Sequence, residues 1–243
     1  MIRTPLRALT FDLDGTLWSV DDVLAAAEEA VYAYLQEAYP SVAARYPPEA
    51  MRALRRELAA ADPELARNAT RLRRETMRQA ARRSALAPAE VEPFVERTFE
   101  LFLEQRQARV APYPEVPAAL AELARRLRIG VITNGNADVY RTALAPYVDF
   151  VIRGVDLDIP KPEPGIFQAA CRAAGAAPGE ILHIGDDPEV DARGAQRAGM
   201  QAVLLCRDPA ALPEDGEGPD CLVVPDAAAL QRAVVAALDG GEG

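Results

Sequence analysis

Asp12 and Asp14 stand two residues apart at the end of an apolar run, in FDLDGTLW, with Gly15 and Thr16 directly behind them. In extended backbone residues i and i+2 point to the same side, so the two carboxylates come close together and call for a cation. Three further polar clusters follow: TNGN at Thr133 to Asn136, DIPK at Asp158 to Lys161, and GDDPEVD at Gly185 to Asp191. Each alone has a local explanation as a turn, a rigid loop or a helix N-cap. Together they bring Asp12, Asp14, Asp186, Asp187 and Asp191 next to a hydroxyl, Thr133, and an ammonium, Lys161. So many carboxylates in one crevice require a hard divalent cation, and oxygen ligands suit Mg²⁺. The hydroxyl and the ammonium are donors that a transferring phosphoryl group needs, and a carboxylate is a competent nucleophile toward phosphorus.

The elements that would hold these clusters alternate. Leu6 to Phe11 reads as a strand that stops at the first acids. From Asp21 to about Arg109 the apolar spacing is helical throughout: Val23 to Tyr39, Glu49 to Ala60, Pro63 to Ala81 and Ala89 to Gln107, with breaks at the prolines between them. Past Pro114 short apolar runs alternate with helices. Strands are expected at Ile129 to Thr133, Phe150 to Arg153, Ile181 to Gly185 and Ala202 to Cys206. Helices are expected at Glu115 to Arg126, Ala137 to Leu144, Pro164 to Ala174, Pro188 to Ala198 and Asp226 to Leu238. This is the signature of βαβ units and a parallel sheet, and the first strand is expected to join it. The fold class is therefore α/β, a doubly wound Rossmann-like core (residues 1–17 and 111–243) with a helical bundle (18–110) inserted after strand one. Ligands of such sheets sit beyond the carboxyl ends of the strands, where all four clusters fall. Asp208 to Asp220 reads as a surface loop and Gly240 to Gly243 as a tail.

Composition narrows the partners. The 243 residues carry a net charge of -10, which argues against nucleic acid. No apolar run approaches the roughly 20 residues of a membrane span, and no signal-peptide core precedes the first motif. Cys171, Cys206 and Cys221 lack metal-site spacing and suit reduced thiols in a cytosol. The run Arg71 to Arg83 is either a solvated helix face or a positive patch that attracts a phosphorylated substrate. Of 27 Lys plus Arg residues only Lys161 is lysine, so that position needs a compact ammonium rather than a guanidinium. His183, the sole histidine, falls inside a strand and reads as a packed residue.

With these residues in view, the chain resembles the haloacid dehalogenase-like superfamily of phosphohydrolases. Its four motifs appear in order: DLDGT with Asp12, Asp14 and Thr16; ITNG with Thr133; Lys161 in KPEPGIF; and GDDPEVD with Asp186 and Asp191. The resemblance implies that Asp12 attacks phosphorus and that Asp14 is general acid, then general base. It implies Mg²⁺ held by the Asp12 carboxylate, the Asp14 main-chain carbonyl and Asp186, with Thr133 and Lys161 on the phosphate and Asp191 in support. Asp187 would bind a metal water or only orient its loop. Asn134 and Gly135 would lend backbone N–H groups to the phosphate, or serve only as cap and turn.

Dehalogenases of the superfamily lack an acid where Asp14 stands, so phosphate ester hydrolysis is favoured. The strings ITNGNADV and EILHIGDDPEVDARGAQRAGMQAV resemble the branch of flavin mononucleotide phosphatases, some also active on a ribityl phosphate precursor. The expected partner is a small-molecule phosphate ester, with another metabolite phosphate as the alternative and a phospho-aspartate signalling or scaffold protein behind it. Trp18, Arg71 and Arg74 are candidate substrate contacts, Trp18 equally a packing residue at the start of the insertion.

Overall fold

The computed structural model describes residues 2–208 and 220–240. The loop expected over Asp208 to Asp220 and the tail over Gly240 to Gly243 fall, apart from their ends, outside the described residues. The chain forms two compact units, one built from the residues up to Ser19 and from Ala111 onward, the other from Val20–Val110.

The first unit is a six-stranded, all-parallel sheet. Its strands are β1 (Ala8–Phe11), β2 (Arg128–Thr133), β3 (Phe150–Arg153), β4 (Ile181–Gly185), β5 (Gln201–Leu205) and β6 (Leu222–Val224), in the order β3-β2-β1-β4-β5-β6. β1 and β4 are buried along their whole length, as apolar runs in a sheet covered on both faces should be. Residue Thr10 lies opposite His183, and Phe11 lies opposite both Val131 and Ile184, so β1, β2 and β4 end within two residues of one another. The acids that follow β1 and β4 therefore leave the sheet side by side. β6 was not foreseen: its three residues follow a segment of Gly, Pro and acids and carry too little pattern to stand out.

The second unit is helical: α1 (Val20–Ala38), α2 (Pro40–Arg45), α3 (Pro48–Ala61), α4 (Pro63–Ala66), α5 (Ala69–Arg83) and α6 (Pro88–Ala108). Its core takes Leu35 from α1, Met77, Ala80 and Ala81 from α5, and Phe94, Phe99 and Phe102 from α6. The single helix expected over Pro63 to Ala81 is two, because the Asn68 side chain accepts from the Arg71 N–H and caps α5 there. Pro40 and Pro48 begin α2 and α3 instead of merely ending their predecessors, since proline fits the first helical turn.

The remaining helices are α7 (Val116–Leu123), α8 (Gly154–Leu157), α9 (Pro164–Ala174), α10 (Gly194–Arg197) and α11 (Ala227–Gly240). Two expectations here need correction. The helix over Ala137 to Leu144 is replaced by short 3₁₀ turns at Val139–Arg141 and Ala145–Tyr147. The Asp138 carboxylate takes the Tyr140 N–H, and the Thr142 hydroxyl bonds both the Val139 carbonyl and the Leu144 N–H, so side chains compete with the helical ladder. The helix from Pro188 opens instead as a π-helical turn, Pro188–Arg193, in which the Ala192 N–H reaches the Asp187 carbonyl, before α10 takes over.

Candidate active site

β1 delivers Asp12 to the carboxyl edge of the sheet, and its N–H still bonds the Ile184 carbonyl at 2.8 Å. Asp12 is 7% exposed. The chain then turns through Gly15, at φ +90°, a conformation that favours glycine. A Cβ on Gly15 would also run into the Asp186 carboxylate, so the turn needs glycine twice over. Thr16 donates its hydroxyl to Asp186 Oδ1 at 2.9 Å and ties the first motif to the last.

Lys161 is caged. Its ammonium donates to Asp12 Oδ1 at 2.6 Å and to Asp191 Oδ1 at 2.5 Å, and the residue is 4% exposed. The Asn134 amide holds the backbone of this residue from both sides, accepting the Lys161 N–H at 2.7 Å and donating to its carbonyl at 2.9 Å. Thr133 is buried at the end of β2, and its hydroxyl oxygen accepts the Gly135 N–H at 3.0 Å. The Gly135 N–H is thus engaged within its turn, the second of the two parts expected of it, and the Asn134 side chain bonds the Lys161 backbone.

Asp191 accepts from Lys161 on one oxygen and from the Asp187 N–H on the other, at 3.1 Å. It packs over Gly185, where a Cβ would collide with its carboxylate. The Asp187 side chain caps the π-helical turn by accepting the Glu189 and Val190 N–H groups, each at 2.8 Å, so orienting the loop is its observed part.

The charges do not balance. One carboxylate oxygen from each of Asp12, Asp186 and Asp191 lies within 4.8 Å of the others, against the single ammonium. Burial pushes the Asp12 carboxyl up to about 8, against the pull of Lys161. Desolvation and then Asp191 also raise Asp186, although solvent reaches it. For Asp191 burial is outweighed by Lys161, which holds it well below the usual carboxylate range. Lys161 in turn stays above its ordinary value, since Asp12 and Asp191 overcome its own burial. Two carboxyls pushed up beside one caged ammonium leave room for a second positive charge. The donors are all oxygen, which fits a hard divalent cation, and Asp12, Asp186 and Asp191 are the carboxylates close enough together to hold one.

Trp18 is fully buried, and its indole N–H donates to Asp14 Oδ1 at 2.8 Å. That geometry makes it a holder of Asp14 and not an exposed substrate contact, a pairing that the i, i+4 spacing inside DGTLW could have suggested. Arg71 and Arg74 lie on α5. The basic run they begin is largely neutralised: Arg73 pairs with Glu28, Arg74 with Glu96, Arg78 with Glu75 and Glu92, and Arg83 with Glu57. The positive patch reading is therefore corrected to a salt-bridged helix. The sequence reading also missed Glu28, whose one carboxylate takes Arg52, Arg55 and Arg73 and so joins α1, α3 and α5.

A doubly wound parallel sheet with a caged lysine and an acid cluster at its carboxyl edge has its charged side chains gathered where ligands of such α/β folds bind. The chain belongs to the haloacid dehalogenase-like hydrolases, a family matched over residues 6–199. Among curated relatives it is 31% identical over 212 residues to the 5-amino-6-(5-phospho-D-ribitylamino)uracil phosphatase YigB of Escherichia coli, covering 87% of this chain and 86% of that one. It is 39% identical over 133 residues to a phosphoserine phosphatase of Thermus thermophilus, and spans only 52% of that relative's length, with 52% of its own chain matched. Among solved structures, a 2-haloacid dehalogenase from Pseudomonas syringae superposes with a TM-score of 0.84 at 34% identity, covering 95% of this chain and 99% of that one. An L-2-haloacid dehalogenase from Xanthobacter autotrophicus shares the fold, with a TM-score of 0.65 at 24% identity and coverages of 95% and 99%. No helix among the described residues is long and apolar enough to cross a membrane.

Proposed function

We propose that the protein hydrolyses a small-molecule phosphate monoester through an aspartyl-phosphate on Asp12. The observation that carries this reading is the Asp12–Lys161–Asp191 arrangement, with an ammonium 2.6 Å from the nucleophilic carboxylate and a second carboxylate behind it. Lys161 and the Thr133 hydroxyl hold phosphoryl oxygens beside Asp12 and take up the charge that develops on them. Asp12 attacks phosphorus, and Asp14, held by Trp18, gives its proton to the leaving oxygen. Asp14 then takes a proton from the water that opens the acyl phosphate, which restores Asp12 and releases phosphate. Mg²⁺ held by the Asp12 carboxylate, the Asp14 main-chain carbonyl and Asp186 would offset the charge on the phosphoryl oxygens and let two anions approach. Asp191 keeps Lys161 charged and in place.

An acid at position 14 supports ester hydrolysis over carbon–halogen cleavage, despite the likeness to a dehalogenase structure. Flavin mononucleotide and related ribityl phosphates are the proposed substrates, supported by the likeness to the ribityl phosphate phosphatase over most of both chains. Other metabolite phosphates are the alternative, since the likeness to the phosphoserine phosphatase covers only half of each chain. Cys171, Cys206 and Cys221 are unpaired thiols, which fits a reducing compartment such as the cytosol. The test is phosphate release from flavin mononucleotide, phosphoserine, nucleotides, sugar phosphates and an aryl phosphate, with Mg²⁺ and with chelator. Release that needs the metal and favours the ribityl ester supports the reading. Silence across the panel overturns it.

A further inference from the structure

Thr10 and His183 are two polar residues in the middle of the sheet, both fully buried, and they face each other across the β1–β4 ladder. Buried polar groups need partners, and these two find each other, with Thr10 Oγ1 2.9 Å from His183 Nδ1. The other ring nitrogen reaches further. His183 Nε2 lies 3.3 Å from Asp191 Oδ1, the same oxygen that accepts the Lys161 ammonium. Phe167 stands edge-on against the imidazole, with ring centroids 5.4 Å apart, and fixes its plane.

The network dictates the tautomer. Asp191 is held ionised beside Lys161 and can only accept, so His183 carries its proton on Nε2 and donates. Nδ1 is then a bare acceptor, and the Thr10 hydroxyl donates to it. Burial keeps the imidazole neutral by lowering it from its ordinary value.

Followed atom by atom, the bonds run through a circuit: Thr10 on β1, His183 on β4, Asp191 in the π-helical turn, Lys161 in its loop, and Asp12 directly after β1, two residues from Thr10. The circuit starts on β1 and ends at the residue that follows it, whose N–H still bonds β4, so the position of the ammonium over Asp12 is referred to the sheet itself. Asp191 takes three donors, from Lys161, His183 and the Asp187 N–H, and only the His183 bond comes from a rigid element.

We propose that His183 is a positioning residue, acting through Asp191 to hold the Lys161 ammonium beside Asp12, with Thr10 satisfying the ring nitrogen that faces away from Asp191. The proposal rests on the phosphatase reading for its kinetic consequence, and on the hydrogen-bond circuit alone for its structural one.

The chain offers one lysine and one histidine, so the side-chain nitrogen signals of a selectively ¹⁵N-labelled sample of the whole protein each belong to one known residue. His183→Met and His183→Gln are similar in length, and only Gln keeps a donor able to reach Asp191. In the wild type the ring nitrogens should report the neutral Nε2–H form, and the Lys161 ammonium should be visible and slow to exchange. In His183→Met that ammonium signal should shift and exchange fast, and kcat on the best substrate of the panel should fall roughly tenfold with KM unchanged within twofold. His183→Gln should recover most of both. Thr10→Val, which spares the ring and the Asp191 bond, should keep the Nε2–H tautomer, shift the Nδ1 signal, and cost less kcat than His183→Met.

If the wild type hydrolyses nothing, the phosphatase reading fails, and the ammonium signal still decides the positioning role. Equal behaviour of the Met and Gln variants, or an undisturbed Lys161 signal in a folded His183→Met, overturns the proposal.

Discussion

Trp18 gives its indole N–H to the Asp14 carboxylate at 2.8 Å, four residues along a turn in which the Gly15 N–H also bonds the Trp18 carbonyl at 2.9 Å. The residue that ends the first motif thus fixes the side chain proposed as acid and base. Trp18→Phe keeps the ring and removes the donor. Turnover should fall roughly tenfold, the loss typical when a positioning partner is removed, while stability drops by about 1 kcal/mol for one lost bond. Steady-state kinetics beside thermal unfolding checks both. Unchanged turnover would leave Trp18 a packing residue.

Gly15→Ala sets a side chain at φ +90° and against the Asp186 carboxylate. The left-handed conformation alone costs about 1 kcal/mol, and relief of the collision must move Asp186. The expected outcome is a folded protein with Mg²⁺ dependence displaced to much higher concentration. A metal titration of activity reads it, and an unaltered midpoint would refute the assignment of Asp186 as ligand.

Lys161→Arg keeps the charge and changes its shape. A planar guanidinium cannot occupy the space between Asp12 and Asp191 as an ammonium does, with both oxygens within 2.6 Å. Loss of one such donor costs roughly a hundredfold in kcat. A near-normal rate would show that any cation serves there.

The helical unit makes a prediction of its own. Burial alone would raise the Glu28 carboxyl, and Arg55, Arg73 and Arg52 outweigh it and leave it below its ordinary value of 4.5. A group depressed in the folded state contributes stability above its unfolded pKa and loses it as the pH falls through the folded one. Stability from Glu28 is therefore present at neutral pH and should decline as the pH drops below 4.5. Glu28→Gln should cost about 2 kcal/mol at neutral pH and flatten that acid decline, as urea unfolding at several pH values would reveal. A variant with the wild-type pH profile would contradict it.

Much of this was legible because it is local. The strands that end at Phe11 and Gly185 are mainly apolar runs stopped by acids, and parallel registry then brings Asp12 and Asp186 together. Lys161 was legible for a different reason, its isolation among arginines. What escaped the sequence depends on partners far along the chain or on competition within a turn. The Asn134 amide finds the Lys161 backbone 27 residues away, His183 meets Thr10 across 173, and Arg73 finds Glu28 across 45. The segment from Ala137 to Leu144 has helical spacing, and only the bonds of Asp138 and Thr142 to the backbone show why it does not wind.

The central claim is that Asp12 carries the phosphoryl group. The most direct measurement is to quench the enzyme in acid during turnover with Mg²⁺, reduce any acyl phosphate with borohydride, and map the product by peptide mass spectrometry. The account predicts homoserine at position 12 in the wild type and none in Asp12→Asn. Turnover with no reduced product, or with the reduction at another aspartate, would contradict it.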